Sequence, residues 1–200
     1  MNLRNQFKRS FSYTWYLYVL AIVVPCVAFP IAYSFMHRPQ EYEKLSLFVS
    51  GPIKDDSLSL ILENKFKDSG VKTVELISFD YQDNETMYLK KLNVVGINRC
   101  DVLIIPESYL YTINPEGCMI EFNDEIKELC AASEETYYQY ENKDFAVELT
   151  SKSPLGSFVS LNDSMKYYAF LGGKSWNVGN YSSKRPNTEN AFGLISYIVG

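Results

Sequence analysis

Histidine is almost missing from this chain. Its single copy in 200 residues is His37, so neither a histidine-based catalytic triad nor a histidine metal site can form in the residues beyond it. Cysteine is scarce as well, with four copies and no C-x-x-C spacing. Three of these, Cys100, Cys118 and Cys130, follow the first apolar stretch. Either Cys118 and Cys130, the nearer pair, form one disulfide, or all three are reduced, partly buried small apolar residues. There is no phosphate-binding glycine loop, nucleophile elbow or metal-ligand cluster, and no cofactor is expected. Positive charge is in deficit. Without Arg4, Lys8 and Arg9, the chain carries 16 Lys and Arg against 24 Asp and Glu, a net of −8. Such an acidic body, lacking any basic patch interleaved with aromatics, is expected neither to bind nucleic acid nor to be drawn to anionic headgroups.

What the chain does have is one long uncharged run, Ser10 to Met36 (SFSYTWYLYVLAIVVPCVAFPIAYSFM). A hydrocarbon core of about 30 Å needs roughly 20 mostly apolar residues in a helix, and Trp15 to Phe35 supplies them. Aromatic residues crowd both ends, as they do where rings sit at headgroup level. Pro25 and Pro30 predict a kinked helix without excluding a spanning one. A cleaved signal peptide would have a shorter apolar region and a small-x-small cleavage site, but Ser34-Phe35-Met36-His37-Arg38 offers none. Pro25 before Cys26 argues against lipid attachment. The stretch therefore reads as an uncleaved anchor. The basic residues before it predict a cytoplasmic N-terminus and an extracytoplasmic remainder. The expected layout is a basic tail (1–10), a transmembrane helix (11–36), a stalk (37–44) and one α/β domain (45–200).

Within that domain, Leu45–Ser50 is a compact apolar run ended by Gly51-Pro52, which predicts a strand and a turn. Asp55 and Asp56 can cap a helix with Leu58, Ile61, Leu62 and Phe66 on one face, closed at Ser69-Gly70. A second strand is expected over Val71–Phe79. A second helix, capped at Asp83 or Asn84, buries Tyr88, Leu89, Leu92 and Val95 and ends at Gly96. Val102–Ile105 reads as a third strand, apolar throughout, as in a strand covered on both faces. Strand–helix–strand–helix–strand predicts a three-layer domain with a mainly parallel sheet of order 2-1-3, to which further antiparallel strands are added. Further on, Glu121–Ala132 predicts a helix, and Thr136–Tyr140 with Phe145–Leu149 a hairpin. Ser151–Ser164 reads as loop and Met165–Leu171 as a strand broken by Gly172-Gly173. A last helix is capped at Asn187 or Thr188.

Ligands of parallel sheets bind at the carboxyl ends of strands, beside the point where strand order reverses. For order 2-1-3 that crevice falls between Ser50-Gly51-Pro52 and Pro106-Glu107-Ser108-Tyr109. Its candidate binding residues are Ser50, Gly51, Glu107, Ser108 and Tyr109: a close backbone approach, hydroxyls, a carboxylate and a stacking face. Equally, Glu107 and Ser108 can simply cap the turn that follows. Lys174-Ser175-Trp176-Asn177 combines a cation, an indole and an amide after the Gly-Gly break. Lys174 and Trp176 are candidate ligand residues, and Trp176 can alternatively serve as a packing anchor.

Three stretches resemble the extracytoplasmic solute-binding proteins of bacterial ABC importers. LSLFVSG with its following helix and VKTVELISF resemble the opening of that family's first lobe. CDVLIIPESYL resembles its aspartate–strand–proline segment, and YYQYENKDFAVEL with MKYYAFLGGKSWNVGN its returning edge strands. Full members have two lobes, whereas little sequence lies between Leu149 and Met165 for a second. The resemblance implies a reduced, single-lobe, membrane-anchored version. It would act by binding rather than catalysis, with a small solute and an ABC permease or other integral membrane protein as partners. The alternative expectation is an accessory membrane protein that docks on other membrane proteins and binds no solute.

Overall fold

The computed structural model describes residues 3–130, 136–150, 153–162, 164–179 and 187–199. The chain divides into two compact units, Met1–Arg38 and Pro39–Gly200.

The first unit is one helix, α1 (Leu3–Met36), with Pro25 and Pro30 inside it. It begins within the stretch read as a tail. At about 1.5 Å per residue, the 22 residues Trp15–Met36 span roughly 33 Å, matching a hydrocarbon core of about 30 Å. None of their side chains is buried by protein, so this segment is long and apolar enough to cross a membrane. At its end the His37 ring stacks on Tyr33, with centroids 3.9 Å apart.

The second unit is a three-layer α/β domain. In chain order it contains β1 (Lys44–Ser50), α2 (Ser57–Phe66), β2 (Thr73–Phe79), α3 (Glu85–Lys91), β3 (Val102–Pro106), α4 (Glu107–Leu110), α5 (Pro115–Cys118) and α6 (Asp124–Leu129). Then follow β4 (Tyr137–Tyr140), β5 (Lys143–Glu148), β6 (Tyr167–Leu171) and α7 (Thr188–Val199). Asn84 caps α3 through its side chain, which accepts from the Met87 N–H. Asp55 accepts from the Ser57 N–H at the start of α2. The Ala191 N–H donates to the Asn187 carbonyl as α7 begins.

One sheet of six strands runs β2-β1-β3-β6-β5-β4. The expected 2-1-3 core is there, with β1 parallel to both β2 and β3. The added antiparallel strands are there too, but they outweigh the parallel part: β3–β6, β6–β5 and β5–β4 are all antiparallel, so the sheet is mixed rather than mainly parallel. The reason is physical. A strand covered on both faces is apolar throughout whichever way it runs, and the run over β6 carries no sign of direction.

Alternation along the central strands divides the core in two. Leu45, Leu47, Val49, Val102, Ile104, Ala169 and Leu171 face α2, α6 and α7, where Leu58, Leu62, Ile126, Leu194 and Ile198 pack against them. Phe48, Leu103, Ile105, Tyr168 and Phe170 face the other layer, with Tyr88, Leu92, Ile97 and Leu110.

Other expectations shift in detail. Ile61, assigned to the buried face of α2, is 38% exposed. The second helix does not stop at Gly96. It continues from α3 through a π-helical segment, Leu92–Ile97, with Gly96 buried inside it. The hairpin turn is Glu141-Asn142 alone, both with positive φ (49° and 61°), a conformation Asn tolerates better than Glu. The predicted 121–132 helix is observed as α6, and its last two predicted residues fall outside the described set. Residues 151, 152 and 163 of the predicted loop are likewise outside it, while Pro154–Ser157 forms a 3₁₀ turn. No disulfide joins Cys100, Cys118 and Cys130.

Candidate functional site at the amino edge of the sheet

The antiparallel placement of β6 decides where the candidate residues go. Val102 lies opposite Leu171, and Pro106 opposite Tyr167. The end of β6 therefore sits beside the start of β3, at the amino edge of the parallel strands. Lys174 and Trp176 follow that end. Ser50, Gly51, Glu107, Ser108 and Tyr109 lie at the carboxyl edge, roughly 13 Å away along β3 at about 3.3 Å per residue. The sequence-predicted site is therefore two separate places, one at each edge.

At the carboxyl edge the chain's own groups close the expected crevice. Ser50 is fully buried and its hydroxyl pairs with the Tyr88 hydroxyl at 2.6 Å. Burial pushes the Tyr88 phenol well above the ordinary range, and the bond to Ser50 only partly offsets this. The Tyr109 ring lies 4.7 Å from Tyr88 and 5.8 Å from Tyr81. A Cβ on Gly51, whose φ is +151°, would stand 2.7 Å from the Ser160 carbonyl oxygen, so that loop covers the glycine. Glu107 opens α4 and accepts from the Tyr111 hydroxyl at 3.0 Å, while Ser108 is exposed. Two hollows flank this edge. One, of about 210 Å³, is lined by Gly51, Tyr81 and Asn162; the other, of about 420 Å³, by Glu148, Thr150 and Lys166. Glu107, Ser108 and Tyr109 line neither.

The amino edge holds a cavity of about 450 Å³ lined by Ser46, Arg99, Asp101, Lys174, Trp176 and Asn177, among others. Volume does not distinguish it from the 420 Å³ hollow; the chemistry of its walls does. Asp101 is 1% exposed and precedes a strand that is apolar at every position. Its Oδ2 accepts from the Ser46 N–H (2.8 Å), the Ser46 hydroxyl (2.8 Å) and Asn177 Nδ2 (3.1 Å). Asn177 Nδ2 also donates to the Lys44 carbonyl at 2.9 Å, which fixes the orientation of its amide.

Among the described residues, two buried side-chain oxygens or nitrogens have no partner, and both belong to this pair: Asp101 Oδ1 and Asn177 Oδ1. Each such atom costs about 1–3 kcal/mol, more when charged. Burial pushes the Asp101 carboxyl above its ordinary range, and the hydrogen bonds from Ser46, Asn177 and Ser175 draw it part of the way back. Among the described residues no cation forms an ion pair with it: the Lys44 ammonium bonds to Glu41 instead, at 2.7 Å.

The floor is held tightly. The Gly172 N–H donates to the Asp101 carbonyl, and a Cβ on Gly172 would come within 2.1 Å of the Cys100 carbonyl oxygen. The Val178 N–H donates to Ser175 Oγ, and the Thr188 hydroxyl to the Asn177 carbonyl. Above the floor, Lys174 is exposed. Trp176 is 45% exposed, with its ring 6.4 Å from Tyr42, so it sits at the rim rather than in the core.

Sequence reasoning missed Asp101 and Ser46 as site residues. A charged residue set directly against a five-residue apolar strand was the available signal. Among the described residues no cluster of three or more His, Cys, Asp and Glu is placed to hold a metal ion. Against known protein families, curated proteins and solved structures, the chain has no match.

Proposed function

We propose that this chain is a single-pass membrane protein whose α/β unit acts by binding a small solute rather than by catalysis. The observation that carries solute capture is the amino-edge cavity, with a buried carboxylate and amide each holding an unpartnered acceptor. A concave, largely preformed hollow of a few hundred Å³ with a few convergent polar groups is the usual form of a small-molecule site.

Anchoring is supported by the exposed apolar surface of α1. A soluble protein rarely leaves so continuous an apolar surface uncovered. Orientation is supported by Arg4, Lys8 and Arg9, with no acid before the apolar run. The basic end lies in the cytoplasm and the α/β unit on the outer side. In this reading the α/β unit works like a single lobe of an importer's solute-binding protein, and an integral membrane protein such as an ABC permease receives the solute.

A second reading, an accessory protein that docks on membrane partners and binds no solute, is favoured by one observation: the carboxyl edge, where α/β folds take ligands, is closed by Ser50, Tyr88 and Tyr109.

Two measurements test the proposal. Full-length protein should stay with membranes through alkaline extraction, and protease added to intact cells should remove the C-terminal unit. Release into the wash, or protection of that unit, would contradict anchoring or orientation. In detergent micelles, a panel of amines, sugars, amino acids and short peptides should include a class that raises the melting temperature. No shift with any class, together with co-purification of a membrane complex, would favour docking.

A further inference from the structure

Asp101 Oδ1 and Asn177 Oδ1 are both acceptors, so whatever completes them must donate hydrogen bonds. It must also suit a carboxylate whose donors, the Ser46 N–H, the Ser46 hydroxyl, the Asn177 amide and the Ser175 hydroxyl, are all neutral. Among the described residues the other charged side chains lining the cavity are Glu41, Lys44, Glu75, Arg99 and Lys174, and none of these cations forms an ion pair with Asp101. A buried charge without a counter-ion is costly unless it is paired and hydrogen-bonded. The rim adds an aromatic element, since Trp176 and Tyr42 are both partly exposed. The body of such a ring offers an apolar surface to a ligand's hydrocarbon part.

We propose that the amino-edge cavity binds a small primary ammonium group, held by N–H bonds to Asp101 Oδ1 and Asn177 Oδ1, with the ligand's hydrocarbon part against Trp176. A quaternary ammonium carries the same charge but has no N–H to give, and an alcohol has one donor and no charge. Both are weaker ligands for this pair of oxygens. The inference rests on the solute-capture reading and names the chemical class of the solute.

The test is calorimetric titration of the full-length protein in detergent micelles with propylammonium, tetramethylammonium and 1-propanol. Propylammonium should bind saturably, at least tenfold more tightly than either of the others. Asp101→Asn should remove that preference, lowering propylammonium affinity at least tenfold. Trp176→Ala, at a rim position 45% exposed, should weaken it severalfold. That second variant keeps the test decisive if Asp101→Asn folds poorly. Equal binding of the alcohol or the quaternary ion overturns the proposal, and so does unchanged affinity in both variants. If propylammonium gives no saturable heat while a sugar or peptide binds, the inference falls and solute capture stands. If nothing binds, both fall.

Discussion

The two edges of the same three strands are built on opposite principles. At the carboxyl edge polar groups meet each other: Ser50 pairs with Tyr88, Glu107 with Tyr111, and the tyrosine rings of 81, 88 and 109 fill the space between. At the amino edge, Asp101 and Asn177 are bonded through one polar atom each and keep a buried oxygen without a partner, beside a cavity of about 450 Å³. The rule that α/β sheets bind ligands at carboxyl ends presumes that nothing on the chain occupies that place. Here the segment before β6 returns across it, with the Glu107 N–H bonded to the Lys166 carbonyl and the Ser160 loop over Gly51. Topology thus fills one edge and leaves the other concave.

The strongest way to break this contrast is at the floor of the amino edge. Gly172→Ala forces a Cβ onto the Cys100 carbonyl, which the backbone cannot yield without separating β6 from β3. It should destabilise the domain by about 3 kcal/mol, read by denaturant unfolding. At the other edge, Tyr88→Phe strands the fully buried Ser50 hydroxyl and should cost about 1–2 kcal/mol in the same experiment. Ligand affinity should be unchanged by it, because the two edges are separate.

Asp101→Asn should act through pH. Burial makes the folded chain hold the Asp101 proton more tightly than the unfolded chain, whose ordinary value is 3.8. The stability this supplies is complete below pH 3.8 and is lost as pH rises through the folded value. The asparagine variant cannot titrate there. The melting temperature of wild type minus that of the variant should therefore fall as pH rises from 3.8 and then level off; a difference independent of pH would show that the carboxyl keeps its ordinary affinity for protons. Glu41, Lys44, Glu75, Arg99 and Lys174 line the same cavity, so the titration should be followed at fixed ionic strength. The smallest effect is expected for Glu107→Ala, which removes only an exposed bond to Tyr111. It should change stability by no more than about 0.5 kcal/mol and leave ligand affinity as it was.

Much of the scaffold could be read from residue order because local signals agreed there. Apolar runs over β1 and β3, the Asn84 cap and the Leu58–Leu62–Phe66 face each specify their element without long-range help. The parallel pairing within the 2-1-3 core follows from the alternation of those elements. The direction of β6 could not be read this way. It depends on where the chain re-enters the sheet, and Tyr167–Leu171 is buried throughout. That one unknown carried the site with it, because Lys174 and Trp176 follow β6 and go wherever its end goes. Asn177 lay within the stretch singled out, yet its tie to Asp101 spans 76 positions and appears only once the strands are paired.

Hydrogen exchange on full-length protein in detergent micelles, with and without saturating propylammonium, puts the contrast between the edges to its most direct test. Slower exchange is expected at residues 44–46, 99–101 and 173–179, with residues 50–52 and 107–109 unchanged. Protection confined to the latter two segments would place the ligand at the carboxyl edge and contradict that contrast.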